Sequence, residues 1–158
     1  MKLRFAIAED VPRIVELGRM MREESRFVAM PYAEEKFARN LYGLLVLQNN
    51  QQTHCCLVAT NEANEIIGCL IGALEEFFFT NAKSANSVLL WVTPRYRGSS
   101  AAVKLIGAFR DWANMRSADE LCIAVASGVT IRRTDRFLRR LGFVQTGGNY
   151  MMPLKSLL

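Results

Sequence analysis

The sequence predicts a mixed α/β (α+β) fold, and three observations carry that prediction. Apolar runs with strand-type patterning alternate with stretches whose apolar residues recur at helical spacing. Two of the apolar runs are separated by a short polar turn, which implies an antiparallel hairpin. A later strand ends in small residues that open directly into a helix. In chain order the elements read β-α-α-β-β-β-α-β-α-β-β, about seven strands and about four helices. There is no internal repeat and no linker composition, so residues 1–158 are expected to form one domain.

Residues 2–7 alternate polar and apolar and predict a half-buried first strand. Asp10 reads as the N-cap of a helix with Pro12 in its first turn, and Val11, Ile14, Leu17 and Met21 keep helical spacing to about Ser25. A second helix is expected from about Ala33 to Gln48, with Phe37, Leu41, Leu44 and Leu45 on one face. Residues 54–60 predict a short apolar strand, Asn61 to Glu65 a polar turn, and Ile66 to Phe79 a long strand apolar on both faces, as a central strand needs. Thr80 to Ala85 reads as a loop, and Ser87 to Val92 as a strand stopped by Thr93-Pro94. A helix follows from about Ser100 to Asn114, a strand from Leu121 to Ala126, and an arginine-rich helix from Ile131 to Leu141, with Gly142 as its left-handed cap. Val144 to Thr146 and Tyr150 to Leu154 predict a closing pair of strands around Gly147-Gly148.

Charge and composition narrow the function classes. The net charge is +5, and Arg132, Arg133, Arg136, Arg139 and Arg140 fall within one short stretch, which suits an anionic ligand or a solvated helix face. A basic helix also admits nucleic-acid binding, but no zinc spacing or RNA-binding aromatic motif accompanies it. Cys55, Cys56, Cys69 and Cys122 form no C-x-x-C pair and sit in apolar runs, as buried free thiols of a reducing compartment would. Adjacent Cys55 and Cys56 point to opposite faces of a strand, and His54 is the single histidine, a structural residue opening its strand; no metal site is expected. Neither a signal peptide nor a run of roughly 20 apolar residues is visible, so the expectation is a cytoplasmic protein.

The stretch Val92-Thr93-Pro94-Arg95-Tyr96-Arg97-Gly98-Ser99-Ser100-Ala101-Ala102 carries the chemistry. The first-turn amides of a helix lack intrahelical partners and, with the helix dipole, attract an anion. Small side chains at 98 to 102 let a phosphate approach the backbone closely. The stretch lacks the Gly-Lys-Ser/Thr ending of a Walker loop, and Gly98 alone does not make a dinucleotide fingerprint.

These residues resemble the acetyl-CoA motif of the GNAT superfamily of N-acetyltransferases, Arg/Gln-x-x-Gly-x-Gly/Ala, with Arg97-x-x-Ser100-x-Ala102 in register and Leu105 at an apolar position of the motif. The Asp10-Val11-Pro12 opening, the two early helices, the strand order and the late helix ending in Leu141-Gly142-Phe143 extend the resemblance over nearly the whole chain. It implies a mostly antiparallel sheet with a splayed parallel pair of strands at the cofactor. It further implies acetyl transfer from acetyl-CoA, the co-substrate, to a primary amine by direct attack. The backbone at Leu90, Trp91 and Val92 would pair with the pantetheine arm, and Gly98, Ser99, Ser100, Ala101 and Ala102 would hold the pyrophosphate. Arg97 would donate through its backbone or its guanidinium, and Arg132 and Arg133 are candidates for the 3′-phosphate, with a solvated helix face as the alternative. A homodimer is compatible with the resemblance, though no sequence feature reports an interface.

Two departures from the motif stand out. Ser100 replaces the central glycine, which keeps the backbone N–H and adds a hydroxyl. Leu138 occupies the position at which the family often carries a tyrosine as general acid, and Ile131 stands near its frequent asparagine. Candidate catalytic groups are therefore sought elsewhere. An amine acceptor must lose a proton, and Glu76 and Glu75, one on each face of an apolar strand, are either its base or strand-edge charges. Tyr150 is either a replacement acid or a half-buried aromatic, and Phe77, Phe78 and Phe79 either line an acceptor pocket or belong to the core. Trp91 reads as packing against a helix. The acceptor is then a polyamine-like or aminoglycoside-like molecule, an amino acid, or a protein amine; the positive charge disfavours polycations. The alternative is an acyl-CoA-binding sensor without turnover, since the usual acid is missing.

Overall fold

The computed structural model describes residues 1–154. Five strands, β1 (Lys2–Phe5), β2 (His54–Thr60), β3 (Ile66–Glu76), β4 (Lys83–Val92) and β5 (Glu120–Cys122), form one sheet in the order β1-β2-β3-β4-β5. Every pairing is antiparallel except β4 with β5, which is parallel. Helices α1 (Val11–Glu24) and α2 (Glu34–Asn50) cover one face, and α3 (Ala101–Met115) and α4 (Ile131–Arg140) lie on the other.

From Ile66 to Ala73 the strand β3 is apolar and buried on both faces, and only its end at Glu75 and Glu76 is charged and exposed. Cys69 and Ile71 pack with Ile14, Leu17, Leu41 and Trp91 under α1 and α2, whereas Leu70 packs with Leu105, Phe109 and Trp112 of α3. Cys55 and Cys56 divide between these two cores, as their alternation requires. All four cysteines are free thiols, and three of them are buried. Gly72 sits in β3 because Phe109 occupies the space of its side chain: a Cβ there would lie 2.2 Å from the ring. The β2–β3 turn closes as an antiparallel hairpin, with the Asn61 amide donating to Glu65 O at 3.0 Å.

Helix boundaries fall within two residues of the sequence reading, but the start of α1 is built differently. The Asp10 side chain caps no α1 amide. It turns back to accept two hydrogen bonds from Arg4, at 2.5 and 2.9 Å, and one from the Ile7 amide at 2.9 Å. The Arg4 guanidinium holds the Asp10 carboxyl below its ordinary pKa, against the opposing effect of burial.

The strands differ more. The β3 strand ends at Glu76, because Phe77 to Thr80 close a turn (Phe77 N to Ala82 O, Thr80 N to Phe77 O), and β4 starts at Lys83, inside the expected loop. Phe78 and Phe79 are therefore exposed at a hairpin tip and do not belong to the core. The sheet has five strands among the described residues, not about seven. The expected pair at Val144–Thr146 and Tyr150–Leu154 does not form: the segment is exposed, and without burial nothing offsets the entropy of ordering a Gly147-Gly148 turn. Gly142 does adopt the left-handed conformation (φ +90°) and ends α4, with Phe143 N donating to Leu138 O. No described helix is long and apolar enough to cross a membrane.

Candidate functional site

The parallel strands β4 and β5 pair for three residues and then part. Ser84, Ala85 and Asn86 face Glu120, Leu121 and Cys122. One residue on in β4 and two in the chain after β5, the Ala124 amide donates to the Ser87 hydroxyl (3.0 Å) instead of a backbone carbonyl. At the same level β4 carries a bulge: Ser87 faces Gly72 and Leu89 faces Ile71, which leaves Val88 unpaired and exposed. A bulge bends its strand and increases local twist, so it turns β4 away from β5. Beyond the vertex, Leu89 to Val92 pair only with β3, and their other edge is open.

The open edge leads into the turn before α3. Pro94–Tyr96 make a single 3₁₀ turn, and Gly98 takes φ +85°, which a side chain would disfavour. The Ser99 hydroxyl donates to Tyr96 O at 2.7 Å and accepts from the Ala101 amide at 3.2 Å. The first i→i−4 bond of the helix runs from Lys104 N to Ser100 O. Among the described residues, the amides of Gly98, Ser100, Ala102 and Val103 donate to no protein acceptor. Four donors collect at the positive end of a fifteen-residue helix, where an anion is stabilised.

Arg133 of α4 reaches this loop: its Nη2 lies 4.0 Å from where a Cβ of Gly98 would be. Arg132 is exposed beside it. Arg97 is used internally. Its amide donates to Pro94 O, its Nε to Val92 O (3.1 Å), its guanidinium pairs with Glu24 (2.8 Å) and lies 4.3 Å over the Trp91 ring. Arg97 thus braces the loop, with both donor groups considered for phosphate already engaged. Trp91 is buried on the α1/α2 face, and its indole N–H has no acceptor among the described residues.

On that same face, a polar group surrounds the vertex. Ser84 is buried, with its hydroxyl 3.0 Å from Glu120 Oε1 and 3.1 Å from Asn86 Oδ1. The Asn86 amide donates to Glu75 (3.1 Å), and the Cys122 thiol lies 3.4 Å from Glu120 Oε1. Burial pushes the Cys122 thiol up, and Glu120 adds to the shift while Ser84 opposes it. Glu75 therefore joins the vertex; Glu76, opposite Lys83, projects from the other face. Tyr150 is fully exposed, and Leu138 is buried in the core that α3 and α4 share. His54 hydrogen-bonds its neighbour Thr53 (3.0 Å). The sequence reading missed Ser84, Asn86, Glu120 and Cys122, because only the parallel pairing of β4 with β5 brings them together, and no local pattern reports a parallel register.

The connector after α1 donates from the Arg26 amide to Ser127 O (2.9 Å) and from Arg26 Nε to Ala126 O (2.6 Å). A separate open cavity of about 660 Å³ lies between α1, the start of β3 and Thr93–Tyr96, but its Arg4 and Arg13 are already paired with Asp10 and Glu16. Among the described residues, no three His, Cys, Asp or Glu side chains group as metal ligands.

The fold has counterparts among known proteins. The structure resembles glucosamine-6-phosphate N-acetyltransferase from Arabidopsis thaliana, with a TM-score of 0.74 at 16% identity over 98% of each chain. It resembles ribosomal-protein-alanine N-acetyltransferase from Brucella melitensis biovar Abortus 2308, with a TM-score of 0.71 at 15% identity over 98% of this chain and 100% of that one. It also resembles AAC(6')-Iy in complex with the bisubstrate analogue CoA-S-monomethyl-acetylneamine, with a TM-score of 0.76 at 12% identity over 98% of this chain and 97% of that one. At these identities the likeness is one of fold. No curated protein sequence matches the chain. The model of the acetyltransferase (GNAT) family matches residues 17–143, and with four-fifths of its length inside that match the chain belongs to the acetyltransferase (GNAT) family.

Proposed function

We propose that this protein transfers an acetyl group from acetyl-CoA to a primary amine by direct attack. The observation that carries the reading is the open edge of β4 running into four unengaged amides at the start of α3. An extended thioester arm suits the first and a pyrophosphate the second. The solved relative with a CoA-based bisubstrate analogue supports the same assignment.

The residues fit such a ligand. Gly98, Ser100 and Ala102 present backbone donors with no bulky side chain in front of them, and Arg133 adds a cation beside Gly98. In the alternation of the β3–β4 pairing Trp91 turns its backbone groups to β3, while Leu90 and the Val92 amide face the open edge and offer backbone hydrogen bonds to an arm lying alongside it. Acetyl-CoA, when bound, supplies an activated acyl thioester; the chain contributes position and proton management. We assign proton removal from the acceptor to Glu75, which shares the vertex face with Asn86 and Glu120, whereas Glu76 does not. Leu138 supplies no proton to the departing thiolate and is packed in the core, so solvent is the proton source in this reading.

A thiol-release assay on a panel of amines tests the proposal. Release of free CoA with at least one amine is expected. Glu75→Gln should then lower kcat by about a hundredfold while leaving the KM for acetyl-CoA nearly unchanged, and Glu76→Gln should lower it little. Tight binding of acetyl-CoA without release on any amine would favour the sensor reading instead.

A further inference from the structure

The opening between β4 and β5 is spanned by three consecutive residues. Glu24, the last residue of α1, pairs with Arg97 at 2.8 Å, and Arg97 in turn holds Val92 O at the end of β4. Two residues later, Arg26 binds the other arm, through its amide to Ser127 O and its Nε to Ala126 O, just beyond β5. Ser25 between them is buried and extended (φ −108°, ψ 173°). Its hydroxyl accepts from Phe27 N at 3.2 Å and lies 3.1 Å from Arg22 O. Arg22 also holds the carbonyls of Val28 and Met30. The segment is thus fixed internally and tied at both ends.

We propose that Glu24-Ser25-Arg26 is a positioning strap that sets the width of the β4/β5 opening. The proposal rests on the reading that this opening takes a thioester arm. Paired strands lie about 4.8 Å apart, so two strands with one extended chain between them stand about 10 Å apart. An extended i to i+2 step covers about 7 Å, and the side chains of Glu24 and Arg26 reach across the rest. Ties from one short segment to both arms limit how far the arms can part. With the bulge at Val88, the strap keeps the arms unpaired beyond Asn86 and Cys122 although the polypeptide continues on both sides.

The test uses the full chain and two ligands, CoA and its nucleotide half, 3′-phospho-ADP, which lacks the arm. Arg26→Ala deletes the guanidinium contact and leaves the backbone one. It is expected to weaken CoA binding by about tenfold in calorimetry and to leave 3′-phospho-ADP binding within about twofold. Arg26→Lys should recover part of the loss. Without ligand, the Ala124 amide, which bonds to Ser87 at the vertex, should exchange faster in Arg26→Ala than in the wild type. Equal loss for both ligands, no loss for either, or an unchanged Ala124 exchange rate would overturn the strap. Failure of the wild type to bind CoA would remove the acyl-CoA reading itself, a result distinct from an altered Ala124 exchange.

Discussion

At the scale of single residues, the Arg4–Asp10 pair shows how a short-range signal is redirected. The sequence places Asp10 at a helix start, and it is there, but its carboxylate serves the chain that precedes it. Because Asp10 titrates below the ordinary value of about 3.9, its stabilising contribution is fully present above that pH and is lost as pH falls through the depressed folded value. Asp10→Asn should cost about 1–3 kcal/mol near neutral pH and flatten the loss of stability below about pH 4; urea unfolding at several pH values measures both. The buried thiols give a second check. Burial pushes Cys55 and Cys69 up to about 12 and Cys56 higher still. A native-state titration with a thiol reagent should therefore modify Cys122 first, and Cys122→Ser should abolish the early phase. Rapid modification of more than one thiol would contradict the burial.

At the scale of elements, helices were legible and strands less so. The apolar spacing of Val11, Ile14, Leu17 and Met21 reports α1 within the chain itself, whereas a strand's length depends on what it pairs with. The β4 strand starts at Lys83 because Glu75 and Glu76 are there to pair with, and the apolar Phe77 to Phe79 leave the strand because a turn is made there. Val144–Thr146 carries strand composition and finds no described partner. Two glycine substitutions test the elements around the site. Gly72→Ala should destabilise by about 1–3 kcal/mol, since its Cβ meets the Phe109 ring inside a packed core. Gly98→Ala must hold φ +85°, at a strain of about 1–2 kcal/mol, and should weaken CoA binding more than it lowers the melting temperature.

At the scale of the whole molecule, the fold is a device for separating two strands that begin as partners. The bulge at Val88 bends one away, the Ser87–Ala124 contact marks the vertex, and the segment after α1 bridges the gap. The loop proposed to meet the anion was legible in the sequence because a strand, small residues and a helix follow one another directly. The vertex group of Glu75, Ser84, Asn86, Glu120 and Cys122 was not, because its members come from three strands and meet only through the register.

The proposed activity requires that this opening and its helix terminus bind acetyl-CoA. Thermal unfolding with acetyl-CoA, CoA or ATP, for the wild type and Ala102→Glu, measures that binding. A ligand at a hundred times its Kd stabilises by about 2.7 kcal/mol. The expected result is a clear rise in melting temperature of the wild type with both CoA forms, a smaller one with ATP, and none in Ala102→Glu, which adds a negative charge to the first turn of α3. No shift with either CoA form, or an equal shift in the variant, would contradict it.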